Sequence, residues 1–135
     1  MASLANIDRI GEINAQKLSW AGVETTESLL EKGSTRRDRL VLAGETGLSS
    51  KRILEWVQYI DLFRINGVAE DYAELLEAVD VHSINELAHQ DPALLAERIK
   101  MVNERKQLVQ RQPSLKVVKR WVKEAQQLPK IIEPD

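Results

Sequence analysis

Four residues in one short stretch, Arg9, Gly11, Asn14 and Lys17, bring together the groups that a phosphate-holding turn uses. Glycine accepts backbone torsions that other residues resist and lets an anion approach closely. The helix that follows presents N–H groups with no partner inside the helix, and Arg9 and Lys17 add positive charge. Glu12 opposes such a site, and the same residues also fit a structural turn with a solvated charged face. More cations lie downstream. Arg36, Arg37 and Arg39 fall within one helical turn, and Lys51-Arg52 begin the next long helix. From Lys100 to Lys123 the chain carries Lys100, Arg105, Lys106, Arg111, Lys116, Lys119, Arg120 and Lys123 against the single acid Glu104. The candidate nucleic-acid-binding set is therefore Arg9, Gly11, Asn14, Lys17, Arg36, Arg37, Lys116, Lys119, Arg120 and Lys123. Amides and cations of this kind hold phosphates without reading bases.

A protein partner is the competing reading. The segment 70–97 is acidic, with Glu70, Asp71, Glu74, Glu77, Asp80, Glu86, Asp91 and Glu97. The basic faces could therefore dock on an acidic protein or on the acidic half of another copy, giving a homo-oligomer through polarised charge. Three tryptophans stand out. Trp56 and Trp121 sit among apolar residues and read as core anchors, and Trp20 reads as half-buried packing, with stacking on a base or insertion into a partner as its alternative. Catalysis finds no comparable support. His82 and His89 lack cysteine companions and ligand spacing, and no nucleophile elbow, phosphate-binding loop or dinucleotide fingerprint occurs. The reading is a non-enzymatic protein with no cofactor and no metal site.

These residues must be placed by helices, because no segment alternates with the period of a strand. Helix punctuation is dense. The first helix runs from Glu12 to about Ala21, stopped by Gly22. Thr25 or Thr26 caps a second through Leu30, ended by Gly33. Ser34 or Thr35 starts a third that turns Leu40, Val41 and Ala43 inward and ends at Gly47. Ser49-Ser50 caps a fourth, Lys51 to about Arg64, with Ile53, Leu54, Val57, Ile60 and Leu62 on its apolar face. A helix from Ala69 to Ala78 follows, then a short one capped by Ser83. Asp91-Pro92 opens the longest, to about Arg111, with Leu94, Leu95, Ile99, Val102 and Leu108 on its buried side. Ser114 caps the last, Leu115 to Leu128, before Pro129.

An internal repeat runs through this order. Ile7, Ile10, Glu12, Ala15, Leu18, Val23, Thr25 and Leu29 return as Ile65, Val68, Glu70, Ala73, Leu76, Val81, Ser83 and Leu87. The pattern apolar-x-Gly-apolar-Gly-x-x-x-Ala-x-x-Leu resembles the helix-hairpin-helix motif. The first copy has Arg9 where the pattern has its first glycine, and the second has Ala69 in place of the other, so Gly67 and Ala69 read as a structural hairpin. The run Ile60-Asp61-Leu62-Phe63-Arg64-Ile65-Asn66-Gly67-Val68-Ala69-Glu70-Asp71-Tyr72-Ala73-Glu74-Leu75-Leu76-Glu77-Ala78, with Asn85-Glu86-Leu87-Ala88 and Pro113-Ser114…Trp121-Val122, resembles a bacterial domain-of-unknown-function family common in cyanobacteria. That resemblance implies a tandem helix-hairpin-helix fold related to modules of DNA repair and replication proteins.

The 135 residues are 43% apolar with a formal charge of −2 and no cysteine. This suits a single all-α domain of two pseudo-repeats, about 5–63 and 64–128, with 129–135 as a frayed tail. The near-neutral total gives no global pull toward nucleic acid or membranes. The start, Met1-Ala2-Ser3-Leu4-Ala5-Asn6, lacks the basic flank and apolar run of a signal peptide, and no run reaches membrane-spanning length. A cytoplasmic protein without membrane partners is expected.

Overall fold

The computed structural model describes residues 2–135. Eight α-helices follow one another, with no strand among the described residues: α1 (Gly11–Trp20), α2 (Thr26–Lys32), α3 (Arg36–Thr46), α4 (Ser50–Asp61), α5 (Glu70–Ala78), α6 (Ile84–Ala88), α7 (Pro92–Lys106) and α8 (Leu115–Gln127). Short 3-10 turns, Leu4–Asn6 and Leu62–Arg64, lie ahead of α1 and α5. None of the described helices is long and apolar enough to cross a membrane. The chain divides into two units. One runs up to Ile60 and includes Lys130–Asp135; the other is Asp61–Pro129.

With lengths from 5 to 15 residues, these helices are marginal alone. Side-chain caps and packing hold them. The Thr25 hydroxyl accepts from the Ser28 N–H while the Ser28 hydroxyl accepts from the Thr25 N–H. Thr35, Ser49, Ser83 and Ser114 each accept from an N–H three residues on. Asp91 takes the N–H groups of Ala93 and Leu94 beside Pro92. Each such cap is worth about 1 kcal/mol.

In the first unit α1 packs on α3, and α3 on α2. Leu18, Val23, Leu29, Ile53, Val57 and Tyr59 are fully buried, and Trp56 is buried with them. The phase of α3 departs from the expected one. Leu40 and Val41 are exposed, while Arg39, Leu42 and Thr46 face inward. The cause is Arg39, whose side chain has no exposure. One terminal nitrogen of its guanidinium donates to the Gly33 carbonyl at 2.9 Å. The other donates to the Glu133 carbonyl and to the Asp135 carboxylate, the latter at 3.1 Å. The Glu133 N–H in turn donates to the Ser34 carbonyl at 2.7 Å. Residues 130–135, read from the sequence as a frayed tail, thus carry backbone and side-chain bonds.

In the second unit α8 packs on α6 and α7, and α7 on α5. α8 buries Val118, Trp121, Val122 and Ala125. The Trp121 ring lies tilted against Tyr72 with centroids 5.3 Å apart, and the Tyr72 hydroxyl donates to the Arg111 carbonyl at 2.8 Å. α7 ends at Lys106 rather than near Arg111, because Gln107 turns left-handed at φ 51°. The Asn103 amide then bonds both main-chain groups of Val109, at 3.1 and 3.0 Å, which draws Val109 into the core. Leu95 and Ile99 are buried, whereas Leu94 and Leu108 are exposed: Leu94 sits on the outer side of α7 and Leu108 lies past its end. Asp61 is buried, and burial pushes its carboxyl above the ordinary value despite the hydrogen bond and charge of Arg64.

Gly33 shows how closely the first unit is packed. A methyl group there would lie 2.6 Å from the Val57 side chain and 2.9 Å from the Leu29 carbonyl oxygen. Gly33→Ala is therefore expected to cost about 2 kcal/mol in chemical denaturation. Gly44, inside α3 with open space around it, makes the contrast: Gly44→Ala should gain about 0.5–1 kcal/mol.

Candidate functional site

The turn before α1 is closed by two bonds to one acceptor. The N–H groups of Ile10 and Gly11 both donate to the Ile7 carbonyl at 3.0 Å. Ile7 and Ile10 are buried, and Gly11 takes a left-handed φ of 80°. The structure brings Arg9, Gly11, Asn14 and Lys17 together on this turn and the first two turns of α1. Two of the four have internal work. The Arg9 guanidinium stands 5.0 Å from the ring centroid of the fully buried Tyr59, a cation–π contact worth about 0.5–1 kcal/mol at an exposed site. The Asn14 amide donates to the Ile10 carbonyl at 2.8 Å. Lys17 is half-buried, at the edge of an outer face that carries Ile13 and Trp20.

That outer face was not anticipated. Ile13 is 75% and Trp20 72% exposed, and their seven-residue spacing, two helical turns, places them on one side of α1. Trp20 is thus not the half-buried packing residue its sequence context suggests: α1 turns Ala15 and Leu18 inward, and Trp20 falls away from them.

Arg36 and Arg37 are exposed on the first turn of α3. Arg39, which the sequence groups with them, leaves that cluster for the interior. The signal that could have found it is spacing: Arg39, Leu42 and Thr46 recur three and four apart, a second possible inward phase for α3.

The turn before α5 is built around Gly67, at φ 86°, with the Val68 N–H donating to the Ile65 carbonyl at 3.0 Å. Ala69 follows as an exposed, extended N-cap without a side-chain bond, and Glu70 and Asp71 fill the first turn of α5. The N–H of Asn66 is already held by an internal anion. The Glu124 carboxylate on α8 accepts it at 2.8 and 3.3 Å. Glu124 was not among the sequence candidates, and its only signal is its position, an acid directly after Lys123 on an otherwise basic helix.

Lys116, Lys119, Arg120 and Lys123 are brought together most clearly. At three- and four-residue spacing they form one row along α8, all are exposed, and the row is opposite the buried Val118, Trp121, Val122 and Ala125. None of the four takes an ion pair among the described residues. Glu124 borders the row but is turned toward Asn66.

A different cluster lies at the junction of α5 and α6. His82 Nδ1 bonds the Glu77 carboxylate, its Nε2 is 3.6 Å from Asp80, and Glu86 accepts from its backbone N–H at 3.0 Å. Asp80 is left-handed at φ 62°. Burial opposes the charged imidazole, but the hydrogen bond and charge of Glu77, with the charges of Glu86 and Asp80, together outweigh it and raise the His82 pKa above 6.5.

Two outcomes follow. Glu124→Gln keeps the shape but removes the charge from the Asn66 bond, and should lower stability by about 1 kcal/mol with a large shift of the Asn66 amide resonance. For His82, a raised folded pKa means that the stabilisation is complete below the unfolded value near 6.5 and is lost as pH rises through the folded pKa. His82→Gln should therefore destabilise at pH 6, with an effect that fades as pH rises through the raised folded pKa, as read by thermal melts.

No curated protein matches the chain, and no solved structure does. One family model, described as a domain of unknown function, matches residues 8–128. The match spans all eight helices, and the chain accordingly belongs to the domain-of-unknown-function family DUF4332.

Proposed function

We propose that the protein is a non-enzymatic module that binds nucleic acid without sequence specificity, with α8 as its main contact. The observation that carries this reading is the row Lys116, Lys119, Arg120 and Lys123, exposed and held outward by burial of the opposite face of the same helix. Cations along a rigid helix neutralise successive phosphates and release counterions, with no need for base contacts. Arg36 and Arg37 add exposed cations in the other unit. In the first turn Gly11 and Lys17 stay in the candidate set, while Arg9 acts from its place on Tyr59 and Asn14 supports the turn.

The finer architecture belongs to the same proposal: two copies of a helix-hairpin-helix unit. Support comes from equivalents at one constant offset. Ile7 and Ile65 accept the bonds of Ile10 and Val68 that close the turns, and Leu18 and Leu76 accept from Val23 and Val81 at 2.9 Å. Gly22 and Asp80 are both left-handed between them, and Thr25 and Ser83 cap the next helices. In this reading the second hairpin is a packing element, because Glu124 takes its amide and Glu70 and Asp71 sit where a phosphate would approach.

A second reading, docking of a protein partner, is favoured by Ile13 and Trp20. Two large apolar side chains, at 75% and 72% exposure on one helix face, offer apolar surface that a partner could cover.

The test is a salt titration of binding to short single- and double-stranded DNA and RNA. Binding should fall steeply with salt. Lys119→Glu/Lys123→Glu should reduce it by about tenfold or more while leaving the melting curve intact, since both side chains are exposed. Absence of binding at low salt, or equal binding by the variant, would turn the assignment to the protein-docking reading, whose variant is Ile13→Ser/Trp20→Ser.

A further inference from the structure

The contact between Arg39 and the 131–135 segment has the character of a peptide-binding site with its ligand in place. The segment belongs to no helix or strand. The site reads it at two points. Glu133 is held by its main chain on both sides, its N–H donating to the Ser34 carbonyl at 2.7 Å and its carbonyl accepting from Arg39. Two residues on, the Asp135 carboxylate accepts from the same guanidinium at 3.1 Å. The receptor half is rigid: Gly33 and Ser34 are fixed between α2 and α3, and Arg39 is immobilised by complete burial. The ligand half is open, with Asp135 42% and Ile131 also 42% exposed. The guanidinium is not saturated either, because its buried Nε has no partner. A guanidinium keeps its charge, so Arg39 stays buried only while carbonyl and carboxylate oxygens surround it.

We propose that this is a docking site for an acidic segment held by its main chain and a carboxylate, and that its partner in trans is residues 131–135 of a second copy. The complementarity required is already on the molecule, since the segment that fits the site is one the chain carries. The segment belongs to the first unit and continues directly from the second unit in sequence. Exchange between copies therefore re-forms the same bonds; it needs a change of path at Leu128–Lys130, where the Pro129 carbonyl accepts from Arg64 at 3.2 Å, and is the route by which identical elements swap into dimers. Its extent depends on protein concentration, because the chain's own segment competes at the effective concentration of a short linker, on the order of millimolar.

The 135 residues include no cysteine, which permits a clean test on the whole chain. Ser34 and Glu133 are neighbours across one backbone bond, and Ser34 is half-exposed and Glu133 exposed. Ser34→Cys/Glu133→Cys in one chain should form a disulfide within that chain, which establishes that the site is filled. Mixing Ser34→Cys protein with Glu133→Cys protein under mild oxidation should give a mixed disulfide dimer whose yield rises with concentration. Adding Asp135→Asn to the Glu133→Cys chain removes one partly screened contact and should cut that yield about threefold. A mixed dimer that is absent at all concentrations, or indifferent to Asp135→Asn as random collision would be, overturns the proposal.

Discussion

The second unit depends on one helix being buried along one side only. Val118, Trp121, Val122 and Ala125 fix α8 against α6 and α7; Trp121, the largest of the four, is fully buried and its ring lies against Tyr72. Burying an aromatic of this size removes well over 100 Å² of apolar surface from water, a few kcal/mol at the usual coefficient. The remaining positions of α8 then have no freedom: four cations must stand on the far side. A face that packing holds rigid presents charge at fixed spacing, which separates a binding row from a mobile lysine-rich tail. Glu124 adds a second constraint by reaching from α8 to the Asn66 N–H.

The first unit rests on a different kind of interaction. Arg39 is a charge in the interior, and such a charge is tolerated when carbonyl and carboxylate oxygens surround it. Gly33, Glu133 and Asp135 supply them. This explains two features together: why α3 shows Leu40 and Val41 to solvent, and why a segment far along the chain returns to α3. Removing the segment would leave the guanidinium without two of its acceptors.

Much of the architecture was legible in the sequence because it is written in local chemistry. Thr25, Thr35, Ser49, Ser83, Asp91 and Ser114 cap the helices that their types announce, and Gly47 ends α3 in the left-handed region. The buried places of Trp56 and Trp121 follow from their apolar neighbours. What was hidden depended on rotation or on distance along the chain. A short helix with apolar residues on several sides has two plausible phases. The sequence offers Leu40 and Val41 for the inward face of α3; tertiary packing takes Arg39 and Leu42. The same ambiguity put Trp20 and Leu94 on the wrong side. The end of α7 was missed because Asn103 bonds Val109 through a side chain, which periodicity does not register. Of the candidate site, the row on α8 was visible as charge at helical spacing. The engagement of Arg9 with Tyr59, and of Glu124 with the second turn, joins residues far apart in sequence.

Nucleic-acid binding by α8 is tested most directly by a map of backbone amide shifts while a short DNA duplex is added at low salt. With α8 as the main contact, perturbations concentrate on residues 115–124, with a weaker set at Arg36 and Arg37, and fade as salt is raised. Perturbations centred on Ile13 and Trp20, or a spectrum that the duplex leaves unchanged, would contradict it.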